Sequence, residues 1–271
     1  MKFQNKSVLI TGACSGIGKI MARKVLERGA RVLTILDINP TLFEDLKNEW
    51  LHFGAEIHFY QIDLSDLQQI QEISSKVKEE VGMIDVLINN AGVVTGAYFH
   101  EHSHKNISLS MGVNSNAPMH LTLEFINDMI ERNSGAICTI CSSAGLISNP
   151  RMSVYAASKW AVVGWSDSLR LEMEQLKKKI SVTTIMPFYI NTGMFEGVKS
   201  KMLPILEPEP TAEKIIRAVE KETKMLAMPL PYWFIRLSQG ILPLGAFDWV
   251  MKNVFGIYDT MKDFTGRKYK N

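Results

Sequence analysis

Short apolar runs alternate along the chain with longer segments in which apolar residues recur at helical spacing. The runs are rich in Val, Ile and Leu and are bounded by turn residues, a pattern typical of strands buried on both faces of a sheet. Six strands are predicted, at Ser7–Thr11, Arg31–Asp37, Glu56–Gln61, Asp85–Asn89, Ala136–Cys141 and Ser181–Met186. Helices are predicted at Gly16–Arg28, Leu42–Phe53, Leu67–Val81, Asn114–Glu131, Ser153–Lys178 and Ala212–Glu222. This alternation predicts an α/β fold with a doubly wound parallel sheet in a single domain. Before the last helix, Pro204, Pro208 and Pro210 predict an irregular segment.

The composition narrows the class of protein. Hydrophobic residues make up 46% and charged residues 21% of the 271 positions, and the net charge is +2. These values are ordinary for a globular protein and give no basic surface that would favour nucleic acid. We expect neither a signal peptide nor a membrane-spanning helix. The first six residues lack an apolar core, and charges and prolines interrupt the most apolar region, 225–251. A cytoplasmic location is therefore expected.

The cysteines and histidines give no sign of a metal site. Three cysteines, Cys14, Cys138 and Cys141, cannot form a complete disulfide framework. The last two are spaced as C-x-x-C, but residues three apart in a strand point to opposite faces of the sheet. We therefore expect free, buried thiols. Three histidines alternate in a predicted polar loop, at His100, His102 and His104. They are expected to be solvated rather than to bind zinc.

A glycine-rich turn follows the first predicted strand, with the sequence Thr-Gly-Ala-Cys-Ser-Gly-Ile-Gly over 11–18. Glycines let the backbone approach a pyrophosphate at the N-terminus of the next helix, where N–H groups favour anions. A turn of this spacing that binds no ligand is the alternative. Asp37 ends the second strand about 20 residues further on, where its carboxylate can accept hydrogen bonds from ribose hydroxyls. Because a carboxylate there would repel a 2′-phosphate, the sequence favours NAD over NADP.

Together with motifs further along, this turn makes the chain resemble the short-chain dehydrogenase/reductase family over nearly its whole length. The matching pieces are Thr11–Gly18, Asp63-Leu64, Asn89–Gly92, Asn114, Ser142, Tyr155-x-x-x-Lys159 and Pro187–Thr192. The resemblance implies a Rossmann-type fold, a homodimer or homotetramer, and an Asn89 that braces the central strands. It also implies a cofactor in contact with Gly12, Ser15, Gly16, Ile17, Gly18, Asp37, Asp63, Leu64, Asn90, Ala91, Gly92, Tyr155, Lys159, Pro187, Ile190 and Thr192. For 89–92 a plain polar turn is the alternative.

Tyr155 and Lys159 lie four residues apart and therefore share one face of a predicted helix. A tyrosine, whose pKa is ordinarily near 10, is a poor base at neutral pH unless nearby positive charge favours the phenolate. We expect Tyr155 to remove the hydroxyl proton of an alcohol, with Lys159 lowering the pKa of the phenol. Ser142 follows the fifth strand and is expected to hydrogen-bond the substrate oxygen. Ser143 is its rival, and the family's spacing selects Ser142.

Two further positions depend on the resemblance. A helical asparagine needs a local role, and Asn114 is preferred over Asn116 as the residue that holds a water linking the lysine to solvent. The family usually has Pro-Gly after the sixth strand, where this chain has Pro-Phe. Phe188 therefore leaves open the backbone path that should place Ile190 and Thr192 at the nicotinamide.

Apolar residues follow Thr192, where the family has a lid over the substrate. Substrate contacts are predicted at Ser142, Tyr155, Met152, Val94, Met194 and Phe195. Ordinary core packing is the alternative for the apolar members. The segments 187–195 and 261–268 resemble the branch that holds retinol dehydrogenases and hydroxysteroid dehydrogenases of lipid droplets. This resemblance implies a lipophilic secondary or allylic alcohol as the substrate.

The chain is thus expected to have three parts within one domain. These are a dinucleotide-binding and catalytic part over 1–192, a lid and following helix over 193–224, and an apolar C-terminal extension over 225–271. The extension could contact a membrane surface through 225–258, or it could cover the pocket or a subunit interface, which is the interpretation we prefer.

These features predict an NAD-dependent oxidoreductase acting on the CH–OH group of a retinoid-, steroid- or lipid-like alcohol. One alternative is an NAD(P)H-dependent carbonyl reductase that uses the same site in reverse. Another, from a different class, is a membrane-associated nucleotide-binding scaffold without turnover.

Overall fold

Seven parallel strands form one sheet in the order β3-β2-β1-β4-β5-β6-β7. The computed structural model describes residues 1–230 and 232–266. The strands are β1 Ser7–Thr11, β2 Val32–Asp37, β3 Glu56–Gln61, β4 Val86–Asn89, β5 Gly135–Ile140, β6 Ile180–Pro187 and β7 Met225–Met228. The strand order reverses between β1 and β4, and ligands of doubly wound sheets bind at such a switch point. The predicted doubly wound parallel sheet is confirmed.

The helices cover both faces of this sheet. They are α1 Gly16–Glu27, α2 Phe43–Trp50, α3 Leu67–Glu80, α4 His104–Met111, α5 Ala117–Glu131, α6 Ser153–Gln175, α7 Pro208–Glu220, α8 Tyr232–Ile241 and α9 Leu244–Trp249. A π-helical turn, Gly112–Asn116, joins α4 to α5. One buried cluster includes Val25 of α1 and Ile216 of α7, and another includes Phe125 of α5. Two apolar layers therefore enclose the sheet.

Several elements differ from the sequence prediction. The six predicted strands omit β7, which pairs with β6 from Thr184 opposite Met225 to Pro187 opposite Met228. The expected irregular segment at Pro208 and Pro210 was wrong, because α7 begins at Pro208. Proline is tolerated in the first helical turn, where its missing N–H would have no partner within the helix.

The predicted polar loop around the histidines is also partly helical. Ser103 caps α4, with its Oγ accepting a hydrogen bond from Asn106 N at 3.2 Å, so that His104 is the first helical residue. The helix predicted to begin at Asn114 therefore begins ten residues earlier and is interrupted by the π-helical turn.

The C-terminal extension has two different faces. Ile235, Phe247, Met251, Ile257 and Met261 are buried in the apolar cluster that contains Tyr155 and Phe188. Other apolar side chains of the extension are exposed, namely Leu230, Trp233, Phe234, Leu237, Ile241, Leu244 and Trp249. Within 1–230 and 232–266, no helix is both long and apolar enough to cross a membrane. Pro231, the side chain of Tyr232, and Arg267 and Lys268 of the C-terminal motif lie outside the described residues.

Candidate active site

A cavity of about 620 Å³ opens where the carboxyl ends of the central strands meet. Its wall includes most of the predicted site residues, namely Gly12, Ser15, Gly16, Ile17, Gly18, Asp37, Asp63, Leu64, Asn90, Ala91, Gly92, Ser142, Tyr155, Lys159, Pro187, Ile190, Thr192, Met194 and Phe195. The residues of the glycine turn, the acidic strand end and the tyrosine–lysine pair therefore face one continuous space.

The glycine turn is built so that side chains would not fit. Gly12 and Gly16 have φ angles of +65° and +57°, in the left-handed region that favours glycine. A Cβ on Gly18 would lie 2.2 Å from the carbonyl oxygen of Gly12 and 2.5 Å from Nδ2 of Asn90. Asn90 Nδ2 donates to the carbonyl oxygens of Thr11 and Gly12, at 2.8 and 3.0 Å. The side chain of Asn90 thus fixes the shape of the turn, besides lining the cavity.

Asp37 lies beside this turn at the end of β2. Its Oδ2 accepts a hydrogen bond from Cys14 N at 2.9 Å, and its Oδ1 accepts one from Asn39 N at 3.0 Å. The Cys14 thiol is also hydrogen-bonded to this carboxylate. Because a carboxylate has about four acceptor positions, about one remains for a hydroxyl donor in the cavity. Burial and the negative charge of Asp37 together raise the pKa of the Cys14 thiol to about 12.

The outer end of the cavity combines apolar and polar groups. Its wall includes the exposed residues Ile38 and Leu42 and the buried residue Leu64. Oδ1 of Asp63 accepts hydrogen bonds from the backbone N and the Oγ of Ser65, at 2.8 and 2.7 Å. These contacts hold the turn after β3 in place beside the apolar part of the wall.

Tyr155 and Ser142 form the centre of the inner end. Tyr155 is 4% exposed, and its hydroxyl is hydrogen-bonded to the side chain of Ser142. Ser142 Oγ also accepts a hydrogen bond from Ala144 N at 3.1 Å, which fixes the serine side chain. Burial raises the pKa of Tyr155 above its usual value, and the hydrogen bond to Ser142 opposes this rise by favouring the phenolate.

Lys159 lies below the phenol. Its Nζ is 5.7 Å from the centroid of the Tyr155 ring and donates to the carbonyl oxygen of Ile140 at 3.0 Å. Burial lowers the pKa of Lys159. The sequence predicts that this lysine lowers the pKa of Tyr155, but in the protein alone the burial of the phenol is the largest influence and raises that pKa.

Asn114 lies in the π-helical turn, behind the cavity wall. Its Oδ1 accepts from Val93 N at 2.8 Å, and its Nδ2 donates to the Val93 carbonyl oxygen at 2.9 Å and to Ser158 Oγ at 3.1 Å. Ser158 Oγ in turn donates to the carbonyl oxygen of Tyr155 at 2.7 Å. The side chain of Asn114 therefore connects the loop after β4 to the helix that carries Tyr155, whereas Asn116 is exposed.

Phe188 does not divert the backbone after β6. Its N–H donates to the carbonyl oxygen of Met228 at 2.8 Å, which continues the pairing with β7. Two residues later, Ile190 forms an isolated parallel bridge with Leu206. Pro187, Phe188, Ile190 and Thr192 all lie on the cavity wall.

The predicted substrate residues fall into two groups. Met194 and Phe195 line the cavity, and the Phe195 ring meets the Tyr155 ring edge-on, with centroids 6.1 Å apart. Met152 and Val94 lie outside the cavity wall, in the apolar cluster behind Tyr155. The direction of a side chain decides between these places, and the sequence pattern does not give that direction.

Several wall residues were not predicted from the sequence. These are Cys14, Leu36, Ile38, Asn39, Leu42, Ile62, Val93, Leu109, Val113, Ile140, Cys141 and Phe188. Most are apolar and carry no motif, but many are neighbours in sequence of residues that were predicted. Burial raises the pKa of Cys141 to about 12, which keeps this thiol protonated. Among the described residues, no group of three or more His, Cys, Asp or Glu side chains could hold a metal ion.

Comparison with known proteins identifies the family. A model of the short chain dehydrogenase family matches residues 6–203. The chain is 38% identical to epidermal retinol dehydrogenase 2 of Mus musculus over 270 residues, which cover 97% of this chain and 86% of that protein. It is 32% identical to estradiol 17-beta-dehydrogenase 11 of Homo sapiens over 237 residues, which cover 87% of this chain and 79% of that protein.

A solved structure gives the same result for the fold. The short-chain dehydrogenase/reductase from Burkholderia phymatum in complex with NAD superposes with a TM-score of 0.79 and 25% identity, covering 89% of this chain and 95% of that one. The chain therefore belongs to the short-chain dehydrogenase/reductase family of oxidoreductases, in its retinol and hydroxysteroid dehydrogenase branch.

Proposed function

We propose that this protein oxidises a lipophilic secondary or allylic alcohol to a carbonyl compound, with NAD as the acceptor. The observation that carries the proposal is the inner end of the cavity. There the hydrogen-bonded hydroxyls of Tyr155 and Ser142 lie in the same space as the apolar side chains of Met194 and Phe195. Two relatives are named for retinol and estradiol, which are both lipophilic alcohols.

The shape of the cavity fits a dinucleotide. Positive-φ glycines leave room for a pyrophosphate at the start of α1, whose first turn carries no acidic residue to repel it. Asp37 has about one acceptor position left for a ribose hydroxyl, and its negative charge disfavours a 2′-phosphate. Gly12, Ser15, Gly16, Ile17, Gly18, Asp63, Leu64, Asn90, Ala91 and Gly92 would hold the adenosine and pyrophosphate. The nicotinamide would contact Tyr155, Lys159, Pro187, Ile190 and Thr192, and when bound it would supply the hydride acceptor and a positive charge near the phenol.

The chain's own groups provide the proton chemistry. Ser142 would donate a hydrogen bond to the substrate oxygen and hold it beside the Tyr155 hydroxyl. Tyr155 in its phenolate form would then take the hydroxyl proton. Lys159, fixed on the Ile140 carbonyl oxygen, places its ammonium under the phenol and favours that phenolate. Asn114 would position the lysine and tyrosine from behind and hold the water of a proton relay.

A carbonyl reductase is the second candidate, and one observation favours it. Burial raises the pKa of Tyr155, so the protein alone holds this residue as a proton donor, which is the form that reduction requires. Both candidates use the same residues. They differ in the direction of the reaction and in the nucleotide that supports it.

The surroundings of the site suggest two further properties. The exposed apolar residues of α8 and α9 would let the segment 225–258 contact a membrane surface while its inner face packs against the catalytic cluster. Leu123 of α5 and Trp160 and Leu171 of α6 are also exposed, and they would serve a homodimer or homotetramer. Liposome flotation and sedimentation velocity test these two properties separately.

Initial rates with purified protein test the proposed function. Reduction of NAD and of NADP is measured across retinoids, steroids, fatty alcohols and short secondary alcohols. We expect turnover with NAD and a lipophilic alcohol, and weaker turnover with NADP. Preference for NADPH and a carbonyl substrate would favour the reductase instead, and no turnover with any pair would contradict both.

A further inference from the structure

Residues 257–266 cross the substrate side of the molecule as a strap. The backbone N–H of Thr265 donates to the Glu196 carbonyl oxygen at 2.9 Å, and that of Lys199 donates to the Thr260 carbonyl oxygen at 3.3 Å. A Cβ on Gly197 would lie 2.0 Å from the carbonyl oxygen of Asp263, so the two segments are in close contact. The strap thus covers the segment that follows the predicted nicotinamide loop.

The same strap contacts two other loops around the cavity. Arg151, in the loop after β5, donates through its guanidinium to the Lys262 carbonyl oxygen at 2.9 Å. Phe264 lies over Gly96 in the loop after β4, where a Cβ would be 2.5 Å from the phenyl ring. The strap therefore joins the loops that follow β4, β5 and β6, which are the loops nearest the substrate end of the cavity.

Thr260 is the buried centre of this arrangement. Its Oγ1 donates to the Ile257 carbonyl oxygen at 2.9 Å, so it must accept from its other partners. Tyr189 donates to Thr260 Oγ1 at 3.0 Å, and Asn149 Nδ2 donates to both of these hydroxyl oxygens at 3.2 Å. The three side chains close a triangle of hydrogen bonds in which each hydroxyl both donates and accepts.

This triangle is connected to the catalytic tyrosine through aromatic contacts. The ring of Tyr189 meets the ring of Phe195 edge-on, with centroids 4.9 Å apart, and Phe195 meets Tyr155 in the same way at 6.1 Å. Phe195 lines the cavity, whereas Tyr189, Thr260 and Asn149 do not. A change at Thr260 would therefore reach the substrate only through Tyr189 and Phe195.

We propose that Thr260 and Asn149 are positioning residues that fix the Phe195 ring, through Tyr189, and thereby select alcohols with a bulky apolar group beside the reacting carbon. A short alcohol would contact only Tyr155 and Ser142 and would not be affected by the placement of Phe195. This inference rests on the proposed function, and it assigns to the strap a part in substrate choice.

The variant Thr260→Val tests the inference, because valine has nearly the same shape and carries a methyl group in place of the hydroxyl. Of the three hydrogen bonds that Thr260 Oγ1 loses, only the one with Tyr189 leads directly to Phe195. We therefore expect KM for a steroid alcohol to rise about 3- to 10-fold, the range for one hydrogen bond. KM for a short secondary alcohol should change less than 2-fold, and so should kcat for either alcohol. A 2-fold change is about the effect of losing the weakest hydrogen bond. Thr260→Ser should restore the wild-type KM. Tyr189→Phe should also raise KM for the steroid alcohol. The double variant that combines it with Thr260→Val should have the same KM as Thr260→Val alone.

Thr34→Val is the matched control. Thr34 is fully buried in β2, its hydroxyl has no hydrogen-bond partner among the described residues, and it lies off the cavity wall. This variant should keep both KM values. Equal changes for the two alcohols in Thr260→Val, together with a lower Tm, would show a purely structural role and overturn the inference.

Amide hydrogen exchange over 189–199 provides a readout that needs no turnover. Exchange there should become faster in Thr260→Val and stay unchanged in Thr34→Val and Thr260→Ser. Unchanged exchange in Thr260→Val overturns the inference, whether or not the protein turns over. If the wild-type protein oxidises no alcohol, the proposed function is overturned instead. The exchange result then still decides whether Thr260 positions the segment 189–199.

Discussion

Nζ of Lys159 donates a hydrogen bond to the carbonyl oxygen of Ile140 across 3.0 Å. This contact ties helix α6 to the end of β5, the strand that Ser142 follows. The lysine, the serine and the tyrosine are thereby fixed relative to one another by a backbone atom of the sheet. Because all three are held before any substrate arrives, the proton transfer that we propose would be preorganised.

Replacing this lysine should impair catalysis without weakening the fold. Lys159→Met should lower kcat/KM for alcohol oxidation by about 10²-fold or more, since the phenolate of Tyr155 loses its nearby positive charge. Stability should not fall, because methionine avoids the cost of burying an ammonium. Steady-state rates and thermal unfolding measure the two effects.

Lys178→Met is the matched control for that variant. Nζ of Lys178 also donates to a backbone carbonyl oxygen, that of Ile130 at 3.1 Å, but the residue lies off the cavity wall. The control should keep wild-type kcat/KM. Equal losses in the two variants would contradict the assigned role of Lys159.

The charge of Asp37 should decide the nucleotide preference. Asp37→Asn keeps the shape and one oxygen for Cys14 N but removes the negative charge. We expect kcat/KM with NAD to fall about 10- to 100-fold, the range for hydrogen bonds to a charged group, while NADP becomes a better acceptor. Asp45→Asn, which neutralises an exposed carboxylate on α2, should leave the NAD:NADP ratio unchanged. A ratio that stays the same in Asp37→Asn would contradict this account.

The glycine turn allows a test by a single methyl group. Gly18→Ala places a Cβ against Gly12 and Asn90, so the turn must open. We expect weaker binding of NADH in a fluorescence titration and a loss of roughly 1–3 kcal/mol in the free energy of unfolding.

Gly164→Ala adds the same methyl group in helix α6 with no atom within 4 Å. This control should instead gain roughly 0.5–1 kcal/mol, as alanine does in helix interiors. Gly18→Ala protein that binds NADH normally would show that the turn does not contact the dinucleotide.

The pH dependence follows from the pKa of Tyr155. Burial raises this pKa above its usual value near 10, so neutral and mildly alkaline pH lies below it. In that range the phenolate needed for oxidation becomes more populated with each step up in pH. We expect kcat/KM for oxidation to rise steadily between about pH 6 and 9, and the rate of carbonyl reduction to fall over the same range. The opposite trends, in protein that stays folded, would exclude Tyr155 as the group that exchanges the proton.

The sequence was sufficient to predict the parts of the fold and site that carry a repeating pattern. Six strands were recognised because each is a buried apolar run with turn residues at its ends. β7 was missed because Met225–Met228 has no β-branched residue and continues into an apolar extension. Proline was read as a helix breaker at 208 and 210, although it fits the first turn of α7.

The site shows the same division. Asp37, Tyr155 and Lys159 were found because their spacing has a chemical reason. Met152 and Phe195 look equivalent as apolar residues near motifs, yet one is buried behind Tyr155 and the other lines the cavity. That difference depends on long-range packing, including the strap, which no local pattern encodes.

The most direct test of the account is kcat/KM for alcohol oxidation in Tyr155→Phe, with Tyr60→Phe as its control. Tyr60 is a buried tyrosine of β3 whose hydroxyl donates to Glu80 Oε2 at 2.6 Å, away from the cavity wall. Removal of the Tyr155 hydroxyl should lower kcat/KM by about 10²- to 10⁴-fold while NADH binding persists, and the control should stay at wild-type activity. Full turnover in Tyr155→Phe would contradict the assignment of Tyr155 as the base.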